Sequence, residues 1–264
     1  MPVPQLTGVV HLPAVPGDPF HDGCGFDGAL DFARRDAAAL AEGGIGAIIV
    51  ENFGSKPFPK GDALQPSPPW QVAWIARAAL MILQETGLLV GVNVLRNDAQ
   101  SALGIAAATG AGFVRVNVHA GSAWTDQGLI EGQAAQTLRT RAALGAASVS
   151  ILADVRVKHA APVTQRPLAD EVQELVHRAG ADAVIVTGSG TGQPVDERVL
   201  AQVAEAAAGA PVLIGSGLSP ERAHLAKYAQ GAIVGTWIKE DGRVERPVDP
   251  ERVRRLVQAW GAAV

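Results

Sequence analysis

The alternation of short apolar runs with longer amphipathic segments constrains the fold more than any other feature of this sequence. Eight runs rich in Val, Ile and Leu are typical of buried strands, and a helical pattern follows each of them. Strands that alternate with helices pair in parallel, and eight such units close into a barrel with the helices outside. The predicted strands are 6–11, 46–51, 88–95, 112–118, 148–155, 182–188, 211–217 and 231–237. The predicted helices are 27–42, 68–86, 98–109, 131–145, 167–179, 196–208, 219–229 and 249–260.

The predicted fold class is therefore α/β, a (β/α)8 TIM barrel of the phosphate-binding type. The chain has 264 residues, and barrels of this kind occupy about 250 residues as one domain. Because no linker or change of composition divides the sequence, we expect one domain over residues 1–264. A dinucleotide-binding fold is disfavoured, because Gly188, Gly190 and Gly192 have the spacing GxGxG and follow the sixth predicted strand.

Composition excludes several classes of protein. With 22 Lys and Arg against 26 Asp and Glu, the net charge is −4, which argues against a nucleic-acid binder. The apolar runs are shorter than the roughly 20 residues of a membrane-spanning helix, and the first 17 residues lack the basic start of a signal peptide. Cys24 is the only cysteine, so the chain has no internal disulfide. We expect a cytoplasmic protein, with a homo-oligomer left open.

Polar side chains cluster at the carboxyl ends of the predicted strands, where barrel enzymes build their active sites. Buried polar groups cost free energy unless they are satisfied, so their presence inside apolar strands indicates a binding pocket. Asp126 and Glu131, in the loop after the fourth strand, are expected to close over a bound molecule. The other candidate substrate-binding residues are His11, Asn52, Asn93, Arg96, Arg115 and Asn117.

Four residues are candidates for catalysis. Asp154, Lys158 and His159 lie within six residues at the end of the fifth predicted strand, and Glu51 ends the second. A carboxylate, an amine and an imidazole close together shift one another's pKa values and can supply a general base or a nucleophile. Asp154 or Glu51 would be the general base, and Lys158 an electrostatic stabiliser or an imine-forming amine. The open alternative is a loop anchored by salt bridges.

Glycine-rich segments follow the last three predicted strands. Glycine lets backbone N–H groups approach an anion closely, and barrels often bind phosphate at the loops after strands 7 and 8. The alternative is that these glycines only make tight turns. The candidate phosphate-binding residues are Gly188, Ser189, Gly215, Ser216, Gly217, Gly235 and Thr236.

Metal binding is the weaker expectation. His and acidic residues occur at several strand ends, but no HxH or HExxH spacing is present. We therefore assign no metal ligands and predict no cofactor, leaving a divalent metal as an open alternative. The side chains that would have to converge are His11, Glu51, His119, Asp154 and His159.

Short specific motifs extend over essentially the whole chain. They are 8–17 (GVVHLPAVPG), 49–54 (IVENFG), 57–58 (PF), 91–98 (GVNVLRND), 113–118 (FVRVNV), 125–132 (TDQGLIEG), 153–159 (ADVRVKH), 185–192 (IVTGSGTG), 215–217 (GSG) and 234–236 (VGT). In these motifs the sequence resembles the BtpA family, which is named for a photosystem I biogenesis factor and includes SgcQ-type proteins. Two departures stand out: Arg156 replaces an expected His, and Trp237 replaces a smaller residue.

The resemblance implies a phosphate-binding type of TIM barrel. For some members it implies support of photosystem I at the thylakoid surface, so a non-catalytic assembly factor is one expectation. The polar strand ends favour a second expectation, an enzyme that acts on a small phosphorylated metabolite such as a sugar phosphate or a nucleotide-like compound. Its reaction would be proton abstraction, isomerisation or lyase chemistry. A metal-dependent hydrolase that uses His11, Glu51 and Asp154 is the third.

Overall fold

A computed structural model describes residues 4–264; residues 1–3 of the predicted domain lie outside them. The strands are β1 (Leu6–His11), β2 (Ala47–Glu51), β3 (Leu89–Asn93), β4 (Phe113–Val116), β5 (Ser122–Thr125), β6 (Gly128–Glu131), β7 (Ser150–Val155), β8 (Ala160–Pro162), β9 (Ala183–Val186), β10 (Val212–Ile214) and β11 (Gly231–Val234). The helices are α1 (Gly25–Glu42), α2 (Pro69–Thr86), α3 (Ala99–Thr109), α4 (Ala134–Ala143), α5 (Leu168–Gln173), α6 (Glu197–Ala206) and α7 (Pro250–Gly261).

Eight parallel strands form a closed barrel in the order β1-β11-β10-β9-β7-β4-β3-β2. Each corresponds to one predicted apolar run, so the (β/α)8 prediction is confirmed. The helices lie outside, where their apolar faces cover the outward side chains of the strands. Asp98, Asp196 and Asp249 cap α3, α6 and α7, each accepting hydrogen bonds from backbone N–H groups of the first turn.

The barrel interior is filled by alternate residues of the strands, because successive side chains of a strand point to opposite faces. Gly91 leaves the space that the Phe113 ring occupies, since a Cβ at Gly91 would lie 2.1 Å from Phe113 Cε2. This packed layer is the floor beneath the carboxyl ends of the strands. It consists of Val9, Ala47, Ile49, Phe113, Leu152, Ala183, Ile185, Leu213 and Ile233.

Three local predictions differ from the structure. The loop after β4 forms a hairpin of β5 and β6 that pairs with β8 in a small antiparallel sheet, so α4 begins at Ala134 rather than at residue 131. The segment after β10 is a 3-10 helix, Pro220–Lys227. Helix α1 begins at Gly25, two residues before its predicted start at residue 27. In the described part of the chain, each helix is too short or too polar to span a lipid bilayer.

Candidate active site at the barrel mouth

A ring of side chains lies directly above the apolar floor, two residues further along each barrel strand. We call these eight residues the mouth ring. Strands β1, β2, β3, β4 and β7 contribute polar or charged groups to it, the residue after β9 is a Thr, and the residues after β10 and β11 are Gly. Six of the eight members can therefore hydrogen-bond, and the two Gly leave open space. The members are His11, Glu51, Asn93, Arg115, Asp154, Thr187, Gly215 and Gly235.

His11, Glu51 and Asn93 are direct neighbours on β1, β2 and β3. Asn93 Nδ2 donates a 2.7 Å hydrogen bond to Glu51 Oε2. No hydrogen bond within residues 4–264 engages Glu51 Oε1, and Glu51 borders an open cavity. The buried Glu51 carboxylate is therefore oriented through one oxygen and has the other available for chemistry.

Asp154 is the anchor of a buried polar network. Arg115 Nε and Nη2 donate to its two oxygens at 3.0 and 2.9 Å, and Asn117 Nδ2 donates to Oδ2 at 2.9 Å. The side chains of the Arg115–Asp154 pair are 3% and 0% exposed. Because both carboxylate oxygens are already engaged, Glu51 is better placed than Asp154 to act as a general base.

Lys158 is fixed by its backbone and leaves its ammonium group unpaired. Its N–H donates to Thr187 Oγ1 at 3.1 Å, and its carbonyl accepts from Arg96 Nη2 at 2.9 Å. Within the described residues, Nζ makes no hydrogen bond or ion pair. Burial, together with the positive charge of Arg115, lowers the pKa of Lys158, while Glu51 and Asp154 oppose this shift. A lowered pKa increases the neutral amine fraction that acts as a nucleophile.

A cavity of about 220 Å³ opens above the mouth ring, and we call it the mouth cavity. Catalytic candidates Glu51 and Lys158 line one side, together with His11 and Arg115. The glycine-rich segments after β10 and β11 line the other. The predicted phosphate-binding residues that border the cavity are Gly215, Ser216, Gly217, Gly235 and Thr236.

At two glycines that line this cavity, other residues pack directly against the backbone. Gly217 has φ of +65°, and a Cβ there would lie 2.3 Å from Pro194 Cα. At Gly235 a Cβ would lie 2.6 Å from Cε1 of His11. A side chain at either position would displace the neighbouring groups, which explains why the mouth is built on glycine here.

The predicted phosphate residues Gly188 and Ser189 lie outside the lining of the mouth cavity. Gly188 N–H donates to Ser216 Oγ at 2.7 Å, and the same hydroxyl donates to the Gln193 carbonyl at 2.9 Å. The Ser216 side chain therefore holds two loops together rather than facing a ligand. Sequence reasoning missed Thr191, Gly192 and Trp237 as lining residues, although all three lie in or beside the glycine-rich segments.

His159, the remaining catalytic candidate, lies at the exposed rim with its ring against the glycine-rich loop. His159 Nε2 accepts a hydrogen bond from Thr191 N–H at 3.2 Å and lies 3.0 Å from Thr191 Oγ1. Burial and the nearby Lys158 lower the pKa of His159, whereas Asp126 opposes the shift. Asp126 is exposed at the tip of the β5–β6 hairpin and Glu131 is exposed at the end of β6, and neither residue borders the mouth cavity.

Two predicted substrate-binding residues instead position other loops. Asn52 is buried, and its side chain hydrogen-bonds both the N–H and the carbonyl of Leu95 in the loop after β3. Arg96 lies in that loop, and its Nη2 donates a hydrogen bond to the Lys158 carbonyl. Neither residue borders the mouth cavity. Their effect on a bound molecule would be indirect, through the placement of Lys158.

Arg156 and Trp237, where this chain departs from the expected family residues, occupy different surroundings. Arg156 is exposed and donates to both oxygens of Glu171 on α5, away from the mouth cavity. Trp237 lines the mouth cavity, and the Arg252 guanidinium stacks 4.5 Å from its ring centre. Of the two, Trp237 is the one that borders the mouth cavity.

The proposed metal-ligand set does not assemble. His119 is buried with Nε2 bonded 2.9 Å from the Ala179 carbonyl, and Asp154 is committed to Arg115 and Asn117. Across residues 4–264, one group has three metal-type donor atoms within 4.8 Å of one another, and it lies in the loop after β1. It is formed by His21, Asp22 and Cys24.

The His11 imidazole should make stability depend on pH. Burial, and then the charges of Lys239, Lys158 and Arg115, hold the pKa of His11 well below its usual range. The unfolded chain takes up this proton near pH 6.5 and the folded chain does so only at lower pH, so the free energy of unfolding falls as the pH drops below about 6.5. One such group contributes a slope of up to about 1.4 kcal/mol per pH unit.

Urea unfolding at pH 7.5, 6.5 and 5.5 measures this slope. The His11→Gln variant keeps a polar side chain but has no imidazole, so its loss of stability between pH 6.5 and 5.5 should be smaller than that of the unmodified chain. Equal losses would show that His11 does not contribute. The comparison separates His11 from the carboxylates and other histidines, which both proteins share.

The fold and the mouth define a class of protein: a (β/α)8 barrel with acid–base groups facing glycine-rich loops. The sequence profile of the BtpA family matches residues 4–261, and the chain belongs to this family. A protein of Thermococcus kodakarensis is 46% identical over 254 residues, covering 96% of this chain and 94% of the relative. The photosystem I biogenesis protein BtpA of Synechocystis is 42% identical over 258 residues, covering 96% and 87%.

A solved structure shares the fold. N-(5'-phosphoribosyl)anthranilate isomerase from Pyrococcus furiosus superimposes with a TM-score of 0.57 at 16% sequence identity, covering 98% of this chain and all of the isomerase. At this level of identity the likeness concerns the fold, and it agrees with the closed barrel described above.

Proposed function

We propose that this chain is an enzyme that acts on a small phosphorylated metabolite, such as a sugar phosphate or a nucleotide-like compound. One observation carries the proposal: a single cavity of about 220 Å³ has acid–base groups on one wall and glycine-rich backbone on the other. A molecule with a phosphate at one end and a reactive carbon at the other fits both walls. The fold shared with a phosphoribosyl-substrate isomerase is consistent with this arrangement.

The phosphate subsite is proposed at Gly215, Ser216, Gly217, Gly235 and Thr236. Within the described chain, the N–H groups of Ser216 and Gly217 make no hydrogen bond, so they are available to an anion. Preorganised backbone N–H groups bind phosphate without a reorganisation cost. The Lys158 ammonium, across the cavity, adds a positive charge, and no carboxylate within residues 4–264 contacts it directly.

The chemistry is proposed to begin at Glu51. Its Oε1 would remove a proton from a carbon next to a carbonyl, and the electron pair would move to the carbonyl oxygen. Lys158 would stabilise the negative oxygen that develops, or its neutral amine would add to the carbonyl carbon and expel water to give an imine. Where the deprotonated carbon carries a hydroxyl, return of the proton to the former carbonyl carbon, with transfer of the hydroxyl proton to the first oxygen, moves the carbonyl and gives isomerisation. Where a leaving group stands on the next carbon, the enolate electrons re-form the carbonyl and a carbon–carbon double bond as that group departs with its electron pair, which gives lyase chemistry.

The other candidate groups would support this reaction. Asn93 holds Glu51 through Oε2, and Arg115, fixed by Asp154, would orient the substrate. His11 borders the mouth cavity and would also orient the substrate. A metal-dependent hydrolase is disfavoured by the donor set, since Asp154 already binds Arg115 through both oxygens.

Replacing Lys158 by Met should weaken phosphate binding by about tenfold, because the positive charge that attracts phosphate across the same cavity is lost. Titration calorimetry with inorganic phosphate measures this change. Lys227 is the matched control, since it is an exposed lysine paired with Glu197 at 2.9 Å on the outer surface. Lys227→Met should bind phosphate like the unmodified chain. Equal affinity in the two variants would remove Lys158 from the phosphate-binding site.

Reduction with borohydride in the presence of phosphorylated aldoses and ketoses separates the two proposed roles of Lys158. A covalent adduct at Lys158, located by mass spectrometry, would establish the imine route. If every phosphosugar tested leaves the protein unmodified while phosphate still binds, Lys158 acts as an electrostatic stabiliser only.

A docking function is the second candidate, and one observation favours it. Large exposed apolar side chains occur on loops that follow the carboxyl ends of barrel strands: Phe20, Leu64 and Trp124 are 66%, 91% and 56% exposed. A contiguous patch of such residues marks a site that contacts another protein, so the docking candidate requires these three side chains to act together. A purely docking protein would retain its role after the Lys158→Met substitution, whereas the proposed enzyme would not.

A further inference from the structure

The Arg115 guanidinium uses only one of its edges within the protein. Its Nε and Nη2 each donate one hydrogen bond to Asp154, at 3.0 and 2.9 Å. A guanidinium has five N–H donors in one plane, so three remain on Nη1 and Nη2. One N–H from each of these nitrogens points outward in parallel, and we call this pair the Arg115 fork. In the described structure no acceptor engages the fork.

The Arg115 fork can be reached from the mouth cavity. Arg115 lines that cavity, although its side chain is only 3% exposed. Its Nη1 has no hydrogen-bond partner, yet it is not one of the fully shielded side-chain atoms that lack a partner in residues 4–264. The small exposed part of the side chain therefore includes Nη1, at the end of the group that faces away from Asp154.

The surrounding network fixes the orientation of the fork. Asp154 accepts both hydrogen bonds of Arg115 and a third from Asn117 Nδ2 at 2.9 Å, and its side chain is fully buried. Arg115 and Asp154 lie on the neighbouring barrel strands β4 and β7. Because the guanidinium is already held in place, little conformational entropy would be lost when a ligand binds it. A rigid fork of this kind recognises a planar group with two acceptor oxygens.

The charges around the fork favour an anion over a neutral acceptor. The charged groups of this cluster are Lys158, Arg96, Arg115, Glu51 and Asp154. Three of them are cations and two are carboxylates, so one positive charge is in excess. Asp126 also acts on Arg96, but it is exposed and solvent screens its charge. One further carboxylate at the Arg115 fork would neutralise the excess.

We propose that the substrate of the mouth cavity carries a carboxylate as well as a phosphate, with the carboxylate bound by the Arg115 fork. This inference rests on the proposed function and narrows its substrate class to phosphorylated hydroxy acids and keto acids. The phosphate would lie at the glycine-rich wall and the carboxylate at the opposite wall. The carbons between them would then lie beside Glu51 and Lys158, which border the same cavity.

Titration calorimetry on the unmodified chain compares phosphates that differ in one end group. The pairs are 3-phosphoglycerate with glycerol 3-phosphate, and 4-phosphoerythronate with erythritol 4-phosphate. In each pair the first compound has a carboxylate where the second has a hydroxymethyl group. In at least one pair the acid should bind about tenfold more tightly or better, as expected for a charge-assisted, two-bond contact. Equal affinities within both pairs would overturn the proposal.

Two arginine variants locate the carboxylate. Arg115→Lys keeps a positive charge beside Asp154 but has no fork, so the preference for the acid should fall to about twofold or less. Arg156 is the matched control, because it also donates through Nε and Nη2 to both oxygens of one carboxylate, that of Glu171, away from the mouth cavity. Arg156→Lys should keep the full preference. An undiminished preference in Arg115→Lys would place the carboxylate elsewhere and overturn the proposal.

Lys158→Met is a further test that leaves the buried Arg115–Asp154 pair intact, and it applies even if Arg115→Lys does not fold. This variant should bind both members of a pair more weakly, because the Lys158 charge attracts every anion in the cavity. The acid should still be the tighter ligand. If the preference disappears, Lys158 rather than the fork holds the carboxylate, and the proposal is wrong.

Glycerol 3-phosphate keeps this inference separate from the proposed function. Its binding to each variant shows that the variant is folded and that the phosphate subsite is intact. If glycerol 3-phosphate binds but neither acid binds more tightly than its partner compound, the carboxylate proposal alone fails. If inorganic phosphate and all four compounds fail to bind the unmodified chain, the proposed function fails and this inference fails with it.

Discussion

Replacing Lys239 by Met lowers the free energy of unfolding by about 3–5 kcal/mol, the expected result of leaving one charge of a buried pair without its partner. Lys239 and Asp36 are both fully buried, and Lys239 Nζ forms an ion pair with Asp36 Oδ2. Asp36 Oδ1 also accepts a 3.0 Å hydrogen bond from Val248 N–H. The pair joins α1 to the chain after β11, so its loss weakens the closure of the barrel.

Urea unfolding of four variants measures this effect: Lys239→Met, Asp36→Leu, the double variant that combines them, and Lys227→Met as the control. Lys227→Met, on the surface, should leave stability unchanged. The double variant Asp36→Leu with Lys239→Met should lose less stability than the sum of the two single losses, because it leaves no unpaired charge behind. Additive losses would show that the two side chains do not stabilise each other.

Asp154→Asn should mainly lower the stability of the protein, whereas Glu51→Gln should mainly lower its activity. Asp154→Asn removes the counterion of a buried guanidinium, which is expected to cost about 3–5 kcal/mol of stability. Glu51→Gln alters a carboxylate held by one hydrogen bond from Asn93, so its cost should be about 1 kcal/mol or less. If Glu51 is the general base, this second variant should lose about 10²–10⁴-fold in proton abstraction.

The chemical half of this prediction is measured in deuterated water. Phosphorylated sugars that lose and regain a proton next to the carbonyl should incorporate deuterium with the unmodified chain and not with Glu51→Gln. Urea unfolding of both variants measures the predicted changes in stability. Full exchange by Glu51→Gln would exclude Glu51 as the base, and an Asp154→Asn variant as stable as the unmodified chain would show that Asp154 is not an anchor.

Most of the mouth could be predicted from the sequence. His11, Glu51, Asn93, Arg115 and Asp154 stand out because polar residues interrupt apolar strands at their carboxyl ends. Parallel strands in a closed barrel bring these ends together whatever the details of packing. Local sequence was less informative for the loops, because the β5–β6 hairpin depends on pairing with β8, a strand distant along the chain.

The roles of individual side chains were harder to predict from the sequence. Sequence patterns do not show that Asn52 holds the loop after β3, or that the Ser216 hydroxyl joins two loops. The helical pattern of α1 does indicate that Asp36 is buried, since it falls among the buried positions Ala33, Ala37 and Leu40. Its partner could not be identified in this way, because Lys239 lies 203 residues further along the chain.

The sequence by itself determined the closed barrel and the identity of the mouth ring. Both follow from local regularities: the two-residue period of strands, and helices long enough to cross back between parallel neighbours. Only the tertiary structure decided which polar groups are engaged and which are available. Asp154 is bound by Arg115, Glu51 has one oxygen available, and within residues 4–264 the Lys158 ammonium forms no direct ion pair. Such pairings depend on distances of a few ångströms between side chains from different strands, which the order of residues in one strand does not specify.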